Sequence, residues 1–530
     1  MTLLRCVQIP LLLAVMLYTT SCAYHSGASP GAAAVEDPFD VMLQHVWQFS
    51  EYQLSQSAAA LAPTTYPFIT NAAGTWETTD AKKWTSGFYP GSLWFLYQQT
   101  ANPLWKTKAQ EWQAGIESQK TNTSTHDVGF MVFTSFGNGY RLSGDDADRQ
   151  VILSAAQSLA TRFSSVVGCL KSWEGGAADF KVIIDNMMNL ELLFWAAKHG
   201  GDPAWYDMAV SHALKTIENH VRADGSTYHL VNYNPTTGAV QSRGTVQGFA
   251  DESTWSRGQA WALYGFTLTY RETGDTRFLQ AARMIADYFI NHLPSDQVPY
   301  WDFQAPSIPN EPRDSSAAAI AASGLLELSG LEPDARRQHT YLDSAKNMLT
   351  TLSSSAYLAE GTSNQAILLH GTQNKPYGRF DIGLIYGDYY FLEALLRYRW
   401  IFPTSPALSV VAVTAGTDST APELTLDHGL RTSWSAEGDG QWIQYDLGTV
   451  QTVRKVAIAW DKGNERSTSF EIHISRDGVH WTTVSRGLSS GLIALPETYD
   501  FPDSAVRYVQ IVGHDNVLNA ENSIAEVMIF

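Results

Sequence analysis

Cysteine is scarce in this chain. Only three cysteines occur among 530 residues: Cys6 and Cys22 near the amino terminus, and Cys169 in the body of the sequence. Once an N-terminal leader is removed, no disulfide can form within a folded domain, so the fold must rely on its hydrophobic core. No cysteine and histidine cluster has the spacing of a zinc site either.

Positive charge is also in short supply. Lys and Arg total 35 against 53 Asp and Glu, which gives a net charge of −18. This balance excludes nucleic acid and anionic membrane surfaces as general partners, and an anionic ligand would need a few local cations. Aromatic residues, in contrast, are plentiful: 17 Trp are present, and their faces stack on sugar rings as readily as they fill cores.

The amino terminus lacks an apolar run long enough to span a bilayer. Arg5 precedes a short apolar stretch, Ile9 to Tyr18, which is typical of an export signal. Ser21 and Cys22 follow and resemble a bacterial lipoprotein box, although Thr19 is atypical at its position. We expect a signal peptide over 1–22, lipid attachment at Cys22 and a flexible tether over 23–37. The protein would then reside in the periplasm or at the cell surface; simple secretion is the alternative.

Residues 38–402 show helical periodicity with a weak repeat, in which strongly apolar segments alternate with amphipathic ones. Gly-Asp or related turns separate them, as at Gly144-Asp145 and Gly274-Asp275, where Gly ends one helix and Asp caps the next. Helices that are apolar all round belong inside, and one-sided helices belong outside. Six segments of each kind predict an all-α (α/α)6 toroid or barrel, with an irregular helical bundle as the alternative.

The pattern changes beyond the proline-containing stretch 401–406. Short, alternating, β-branched runs such as Trp442 to Leu447 and Tyr508 to Val512 predict strands, and the turn at Asp477-Gly478 predicts a hairpin. We therefore expect a separate all-β jelly-roll sandwich over 407–530.

The unusual polar residues of the helical region fall at the starts of the apolar helices. In an alternating toroid these helix N-termini lie at one end, so their side chains converge on one mouth with six positive dipole ends. Asp185 and Asp127 lie at adjacent helix starts and resemble the carboxylate pair of a glycosidase. Asp185 stands in an apolar run, where burial raises a carboxyl pKa. For both residues a simple helix cap is the alternative interpretation.

Six motifs carry a resemblance to the unsaturated glucuronyl hydrolases, glycoside hydrolase family 88, over about residues 40–400. They are Trp84 to Phe88, His126 to Phe130, Asp185 to Asn189, Gln247 to Trp261, Arg313 to Ala317 and Ile385 to Phe391. The resemblance implies an (α/α)6 barrel, no cofactor for catalysis, and removal of a 4,5-unsaturated uronic acid from lyase-generated oligosaccharides. Asp185 would protonate C4 of the vinyl ether and accept a proton from the water that attacks C5, with Asp127 as its partner.

The resemblance also implies a set of substrate-binding residues: Trp84, His126, Trp173, His229, Gln247, Arg257 and Trp261. Arg257 is the candidate for the substrate carboxylate, because its planar fork suits that group. Simpler roles remain open. His229 could lie in a surface loop, Trp261 could fill the core and Trp255 could only pack. Arg257 could form a structural pair with Asp251 or Glu252. Lys375 and Arg379 could contact a sulfate on the next sugar, or be solvated loop charges.

The C-terminal region resembles the coagulation factor 5/8 C-type (discoidin) fold, as in family 32 carbohydrate-binding modules. The motifs are Asp427 to Trp434, Trp442 to Gly448 and the segment around Glu526. Such domains often hold a structural Ca²⁺, and the resemblance implies Asp427, Thr432 and Glu526 as metal ligands. Trp460, Arg466 and His473 could bind sugar or pack against the barrel.

Two other functions remain open from the sequence. One is an unsaturated rhamnogalacturonyl hydrolase of family 105, which acts by the same chemistry on pectin fragments; the other is a non-catalytic, surface glycan-binding lipoprotein. The expected partners are anionic unsaturated oligosaccharides of glycosaminoglycan or ulvan type.

Overall fold

The computed structural model describes residues 38–401 and 407–530, apart from 417, 418, 420, 428, 429, 431, 464 and 492–495. The expected signal peptide, lipidated Cys22 and tether lie outside the described residues. In the part that is described, no helix is both long and apolar enough to cross a membrane.

The N-terminal domain is built from twelve helices that alternate between an inner and an outer ring. The inner helices are α2 (Phe88–Thr100), α4 (a π-helical segment, Gly129–Gly137, continued by the α-helix Asn138–Ser143), α6 (Asn186–Lys198), α8 (Ser256–Thr273), α10 (Ser315–Leu331) and α12 (Ile385–Ile401). The outer helices are α1 (Pro38–Ala60), α3 (Pro103–Ile116), α5 (Asp146–Ala160), α7 (Ala204–Asn219), α9 (Thr276–Asn291) and α11 (Ala335–Leu352). Short 3₁₀ turns occupy Glu117–Thr121 and Lys375–Tyr377.

The inner helices form a closed ring. Each contacts its neighbour in the order α2, α4, α6, α8, α10, α12, and α12 contacts α2 again. The distribution of side chains explains this arrangement, because α8 and α10 are buried on nearly every face, whereas α9 buries one apolar face that includes Phe278, Ile285 and Phe289. The (α/α)6 barrel predicted from the sequence is therefore confirmed.

The predicted turn chemistry is also present. Gly144 and Gly274 adopt the left-handed conformation at helix ends. Asp145 and Asp275 then accept a hydrogen bond from the backbone of the following helix, and Asp334 does the same before α11.

Small sheets decorate the loops of the barrel, and the sequence did not predict them. They are β1 (Tyr66–Thr70) with β2 (Trp76–Thr79), β3 (Phe163–Ser164) with β4 (Cys169–Leu170), the three-stranded β5 (Phe180–Ile183), β6 (Leu230–Tyr233) and β7 (Val240–Gly244), and β8 (Gly371–Asn374) with β9 (Arg379–Ile382). These sheets fix the loops that lead into inner helices, and so they position the polar residues of the barrel mouth.

The C-terminal domain is an antiparallel sheet structure. Its strands are β10 (Ala412–Ala415), β11 (Trp434–Glu437), β12 (Gln441–Trp460), β13 (Thr468–Ser475), β14 (Thr482–Leu488), β15 (Glu497–Asn516) and β16 (Glu521–Ile529). The order is β11-β16-β12-β15-β13-β14, with β10 on β12, and a 3₁₀ turn covers Pro422–Leu426. Register shifts after Asp446 and Val453 bend β12 against β15, which lets the two halves enclose one apolar core.

This domain lies at the end of the barrel opposite the starts of the inner helices. A cavity of about 720 Å³ is lined by Tyr97 of α2, Tyr140 of α4 and Trp400 of α12 on one side, and by Lys455 and Glu497 on the other. The barrel residues stand near the ends of their helices, so the sheet domain is remote from the mouth.

The three residues of this domain considered for sugar binding all make contacts within the sheet domain. Trp460 is buried in the sheet core, and its indole N–H donates to the Tyr499 hydroxyl at 2.9 Å. Arg466 is buried and pairs with Asp461 and Glu521, while His473 is hydrogen-bonded to Glu471. Burial leaves Trp460 and Arg466 no exposed face for a sugar ring, whereas sugar binding at the partly exposed His473 stays a prediction.

Candidate active site

Asp185 lies at the start of α6, where the chain leaves β5. Its side chain makes no capping hydrogen bond to α6, and within the described residues its Oδ2 atom has no hydrogen-bond partner. Only 8% of the residue is exposed. Burial raises the pKa of this carboxyl to about 7, with nearby Asp127 adding to the rise and Arg257 opposing it. The helix-cap interpretation of Asp185 is therefore wrong. Its carboxyl can instead hold or release a proton near neutral pH.

His229 lies beside Asp185 because β5 pairs with β6, and the backbone N–H of Ile184 donates to the His229 carbonyl. Its Nδ1 atom accepts from the backbone N–H of Val246 at 3.2 Å, so the neutral imidazole carries its proton on Nε2. Nε2 is 3.7 Å from Asp185 Oδ2, too far for a hydrogen bond. Burial lowers the His229 pKa to about 3, so the two groups are not an ion pair. His229 is buried, which contradicts the surface-loop alternative.

Arg257 is buried in the first turn of α8 and is paired with Asp314, which caps α10. Its Nη1 atom donates to Asp314 Oδ2 at 2.6 Å and to the Thr372 carbonyl, and its Nη2 donates to the Gln373 carbonyl at 2.7 Å. Neither Asp251 nor Glu252 is its partner, so the pairing considered from the sequence is wrong. Asp314 lies 57 residues from Arg257 and could be found only by folding the chain.

Trp255 packs against both His229 and Arg257 and fixes their positions. Its ring centroid lies 4.5 Å from that of His229, and the Arg257 guanidinium lies 4.5 Å from a Trp255 ring centroid. Trp255 therefore has the packing role considered from the sequence. Its ring lies between His229, the donor beside Asp185, and Arg257, whose guanidinium acts electrostatically on Asp185.

Asp127 precedes α4 and belongs to the same mouth. Thr125 donates to its Oδ2 at 2.6 Å, and His126 Nε2 lies 3.3 Å from Oδ1. The Phe130 N–H in the first turn of α4 donates to Asn189 Oδ1 of α6 at 2.8 Å instead, and the Asp127 side chain makes no bond to this turn. Asp127 therefore does not cap α4, and its charge contributes to the raised pKa of Asp185.

The remaining predicted site residues surround this centre. Gln247 donates to the Gln373 carbonyl at 2.9 Å, and Trp173 contacts the buried His126 ring edge-on. Trp84 is partly exposed and packs against Phe88, Phe130 and Tyr386.

Trp261 is different, because it has no exposed surface and packs against Phe130 and Tyr390. Its indole N–H has no hydrogen-bond partner among residues described by the structure, and this N–H is the one polar group that it could offer a substrate.

The rim of the mouth carries cations. Burial lowers the pKa of the partly buried Lys83, the exposed Arg379 lowers it further, and Asp127 raises it. Lys375 lies over the Phe380 ring. An open cleft of about 480 Å³ beside Asp127 is lined by Lys82, Lys83, Trp84 and Thr125, among others.

Of the residues implied for calcium, Asp427 and Thr432 lie between the 3₁₀ turn Pro422–Leu426 and β11, and Glu526 lies on β16. Thr432 donates to Asp427 Oδ2 at 2.6 Å. Glu526 is buried on β16 and acts electrostatically on Tyr445, whose hydroxyl donates to Thr425, two residues before Asp427. These oxygen atoms suit a hard cation. The residues that the structure describes contain no cluster of three or more His, Cys, Asp or Glu able to hold a metal; His428 of this motif lies outside them.

A carboxyl that titrates near neutrality, with a second carboxylate close by, is equipped for proton transfer to and from a substrate. Indole rings and a buried guanidinium around it suit an anionic sugar. The barrel and its mouth thus define a carbohydrate-active hydrolase.

The family model described as Glycosyl Hydrolase Family 88 matches residues 64–394, and the chain belongs to this family. An F5/8 type C domain matches residues 409–528 and agrees with the antiparallel C-terminal sheet. The protein is an enzyme with unsaturated glucuronyl hydrolase activity, and its family does not favour the rhamnogalacturonyl or non-catalytic alternatives.

Similar proteins carry that activity in their names. An unsaturated glucuronyl hydrolase of Formosa agariphila is 46% identical over 324 residues, covering 60% of this chain and 80% of the relative. An unsaturated chondroitin disaccharide hydrolase of Streptococcus pneumoniae is 34% identical, covering 60% of this chain and 82% of the relative. A solved unsaturated glucuronyl hydrolase specific for heparin is 40% identical, with a TM-score of 0.66 over 68% of this chain and 98% of its own.

Proposed function

We propose that this enzyme releases the non-reducing-end 4,5-unsaturated uronic acid by hydrating its vinyl ether. Protonated Asp185 donates its proton to C4, a water molecule adds through oxygen to C5, and Asp185 recovers a proton from that water. The C5 hemiketal then opens spontaneously and releases the aglycone. Water is consumed, no oxidant or cofactor takes part, and the carboxyl returns to its starting state.

The observation that carries the proposal is the state of the Asp185 carboxyl. A group that serves first as acid and then as base works best when its pKa lies near the working pH, and burial raises this pKa to about 7. Oδ2 has no hydrogen-bond partner among the described side chains and backbone groups, so it is available to a substrate.

The neighbours of Asp185 support the same assignment. Asp127 disfavours ionisation of Asp185 and therefore favours its proton-bearing form, while buried Arg257 offers positive charge to the uronate. The Nε2 N–H of His229, 3.7 Å from Oδ2, can donate to Asp185 once it is ionised. Trp84 and Trp173 supply faces for the sugar rings.

The substrates that we propose are anionic unsaturated oligosaccharides of glycosaminoglycan or ulvan type. Relatives are named for glucuronyl and chondroitin disaccharide substrates, one solved relative is specific for heparin, and another was solved with dGlcA-GalNAc6S. The cations of the rim, Lys83, Lys375 and Arg379, add local positive charge for a sulfated second sugar in a chain of net charge −18.

The decisive experiment compares Asp185→Asn with Asp148→Asn. Asp148 is another buried carboxyl, and burial raises its pKa to about 6. It lies on the outer helix α5 and accepts a hydrogen bond from Gln113. Loss of the alkene absorbance near 235 nm is followed on chondroitin, heparin, ulvan and rhamnogalacturonan disaccharides. We expect Asp185→Asn to lower kcat by at least about 1,000-fold while substrate still raises its Tm.

The control Asp148→Asn should retain activity. Turnover by Asp185→Asn at the wild-type rate would overturn the mechanism, and turnover of rhamnogalacturonan disaccharides alone would overturn the substrate class.

We further propose that Asp427, Thr432 and Glu526 hold a structural Ca²⁺ in the C-terminal domain. Ca²⁺ binding to the folded state should raise the Tm of this domain, and EDTA should reverse the rise. A Tm unchanged by Ca²⁺ and by EDTA would refute the site.

We propose, finally, that the chain is exported and lipid-anchored through Cys22. The sequence of the first 22 residues is the support for this proposal. A Cys22→Ser variant should leave the membrane fraction and appear in the soluble exported fraction; an unchanged distribution would contradict lipid attachment.

A further inference from the structure

Tyr386 opens α12 at the barrel mouth and is fully buried among the groups of the candidate site. The centroid of its ring lies 5.0 Å from that of Trp84 and 6.1 Å from that of Phe88. The guanidinium carbon of Arg257 lies 5.2 Å from the Tyr386 ring centroid. The ring therefore contacts both a proposed sugar-stacking residue and the proposed carboxylate-binding residue.

The hydroxyl of Tyr386 makes no hydrogen bond within the described part of the fold. Although Tyr386 has no exposed surface, its hydroxyl has no hydrogen-bond partner in the described parts of the chain. Buried polar groups are almost always hydrogen-bonded, and an exception calls for an explanation. Asp185 Oδ2 and His229 Nε2 are exceptions of the same kind in the same mouth.

The charges around this hydroxyl define what it can do. Arg257, Asp314 and Asp185 all act electrostatically on it, and burial raises its pKa far above the ordinary value for tyrosine. The phenol therefore stays an O–H donor at any working pH. Arg257 directs three of its five N–H groups to Asp314 and to the carbonyls of Thr372 and Gln373, which leaves two for a substrate anion. A carboxylate has about four lone-pair sites, so a further donor beside Arg257 can bond to the same anion.

We propose that the Tyr386 hydroxyl donates a hydrogen bond to the carboxylate of the unsaturated uronic acid, beside Arg257, and that it helps to select an acidic sugar. This inference rests on the proposed function, because it concerns the same substrate ring. A hydrogen bond from a neutral donor to a buried carboxylate is charge-assisted and stronger than a neutral one. Tyr386 would thus be a specificity residue that no sequence pattern distinguishes from the adjacent core tyrosines.

The test is Tyr386→Phe, which removes the hydroxyl and keeps the ring contacts. Kinetics are measured on an unsaturated disaccharide and on the methyl ester of its uronate. We expect kcat/KM of the acid substrate to fall about 10- to 100-fold, the loss typical of a charge-assisted hydrogen bond, and kcat/KM of the ester to change by less than about 3-fold. The matched control is Tyr233→Phe, a buried tyrosine on β6, which should behave as wild type.

Three outcomes would overturn the inference. Wild-type kinetics of Tyr386→Phe on the acid would exclude the hydrogen bond, and equal losses on acid and ester would show that the hydroxyl does not contact the carboxylate. A marked fall in Tm would show that the hydroxyl has a partner within the fold. These failures differ from failure of the proposed function, which would appear as activity retained by Asp185→Asn.

Discussion

The Nε2 atom of His229 lies 3.7 Å from the Oδ2 atom of Asp185, with both side chains buried at the barrel mouth. The distance excludes a hydrogen bond in this state, yet it is short enough that a small movement would form one when Asp185 loses its proton. Because burial holds His229 neutral, it can stabilise the ionised carboxyl as an N–H donor without adding a charge.

The pH dependence of the reaction should follow the proton on Asp185. Its pKa is raised to about 7, so the acid form is present below that pH and is lost above it. We expect log kcat/KM on an unsaturated disaccharide to decline with a slope of about −1 above pH 7. A profile that stays flat to pH 9 would contradict Asp185 as the proton donor.

The free energy of unfolding should also depend on Asp185, and removing its charge should stabilise the protein at high pH. The ordinary pKa of this carboxyl is 3.8 and its pKa in the fold is about 7, so the contribution of Asp185 to stability is fully present below about pH 4 and is lost as pH rises through 7. The neutral variant Asp185→Asn avoids this loss. We expect it to be more stable than wild type at pH 8, by at most about 4 kcal/mol at 1.36 kcal/mol per pKa unit.

The same denaturation experiment at pH 4 is the internal control, because the advantage of Asp185→Asn should vanish there. A stability difference that does not change between pH 4 and pH 8 would show that Asp185 is not a destabilised carboxylate.

The ion pair of Arg257 and Asp314 should matter for folding as well as for the site. Asp314→Ala leaves a buried guanidinium without its carboxylate, and we expect the free energy of unfolding to fall by about 3–5 kcal/mol. Glu218→Ala, which breaks the exposed pair with Lys215 on α7, should cost no more than about 1 kcal/mol. Urea denaturation measures both, and equal losses would contradict the buried pair.

Gly258 provides a test of how tightly Trp255 is held. A Cβ atom at this position would lie 2.7 Å from the Trp255 ring and 3.2 Å from Ile184. Gly258→Ala should displace Trp255, and with it His229 and Arg257. We expect the free energy of unfolding to fall by roughly 1–3 kcal/mol and kcat/KM to fall as well. Gly487→Ala is the control, since nothing lies within 4 Å of its added Cβ; unaltered kinetics of Gly258→Ala would refute the coupling.

Much of the barrel was predictable because its signals are local. Apolar helices such as α10 and one-sided helices such as α9 differ in composition, and Asp145 and Asp275 cap helices through residues two positions away. The sequence likewise indicated strands in the C-terminal region from period-two alternation. The small sheets of the loops were missed, because strands of two to five residues leave almost no pattern.

The sequence by itself determined the chemical inventory of this protein: a carboxyl in an apolar run, few cations, and polar residues at the starts of apolar helices. The tertiary structure decided how those groups act. Four features depend on contacts between distant segments: the absent cap on Asp185, the Asp314 partner of Arg257, the proton position on His229, and the Tyr386 hydroxyl, which has no partner among the described residues. Burial and hydrogen bonding are properties of those contacts, so no local pattern in the chain can specify them.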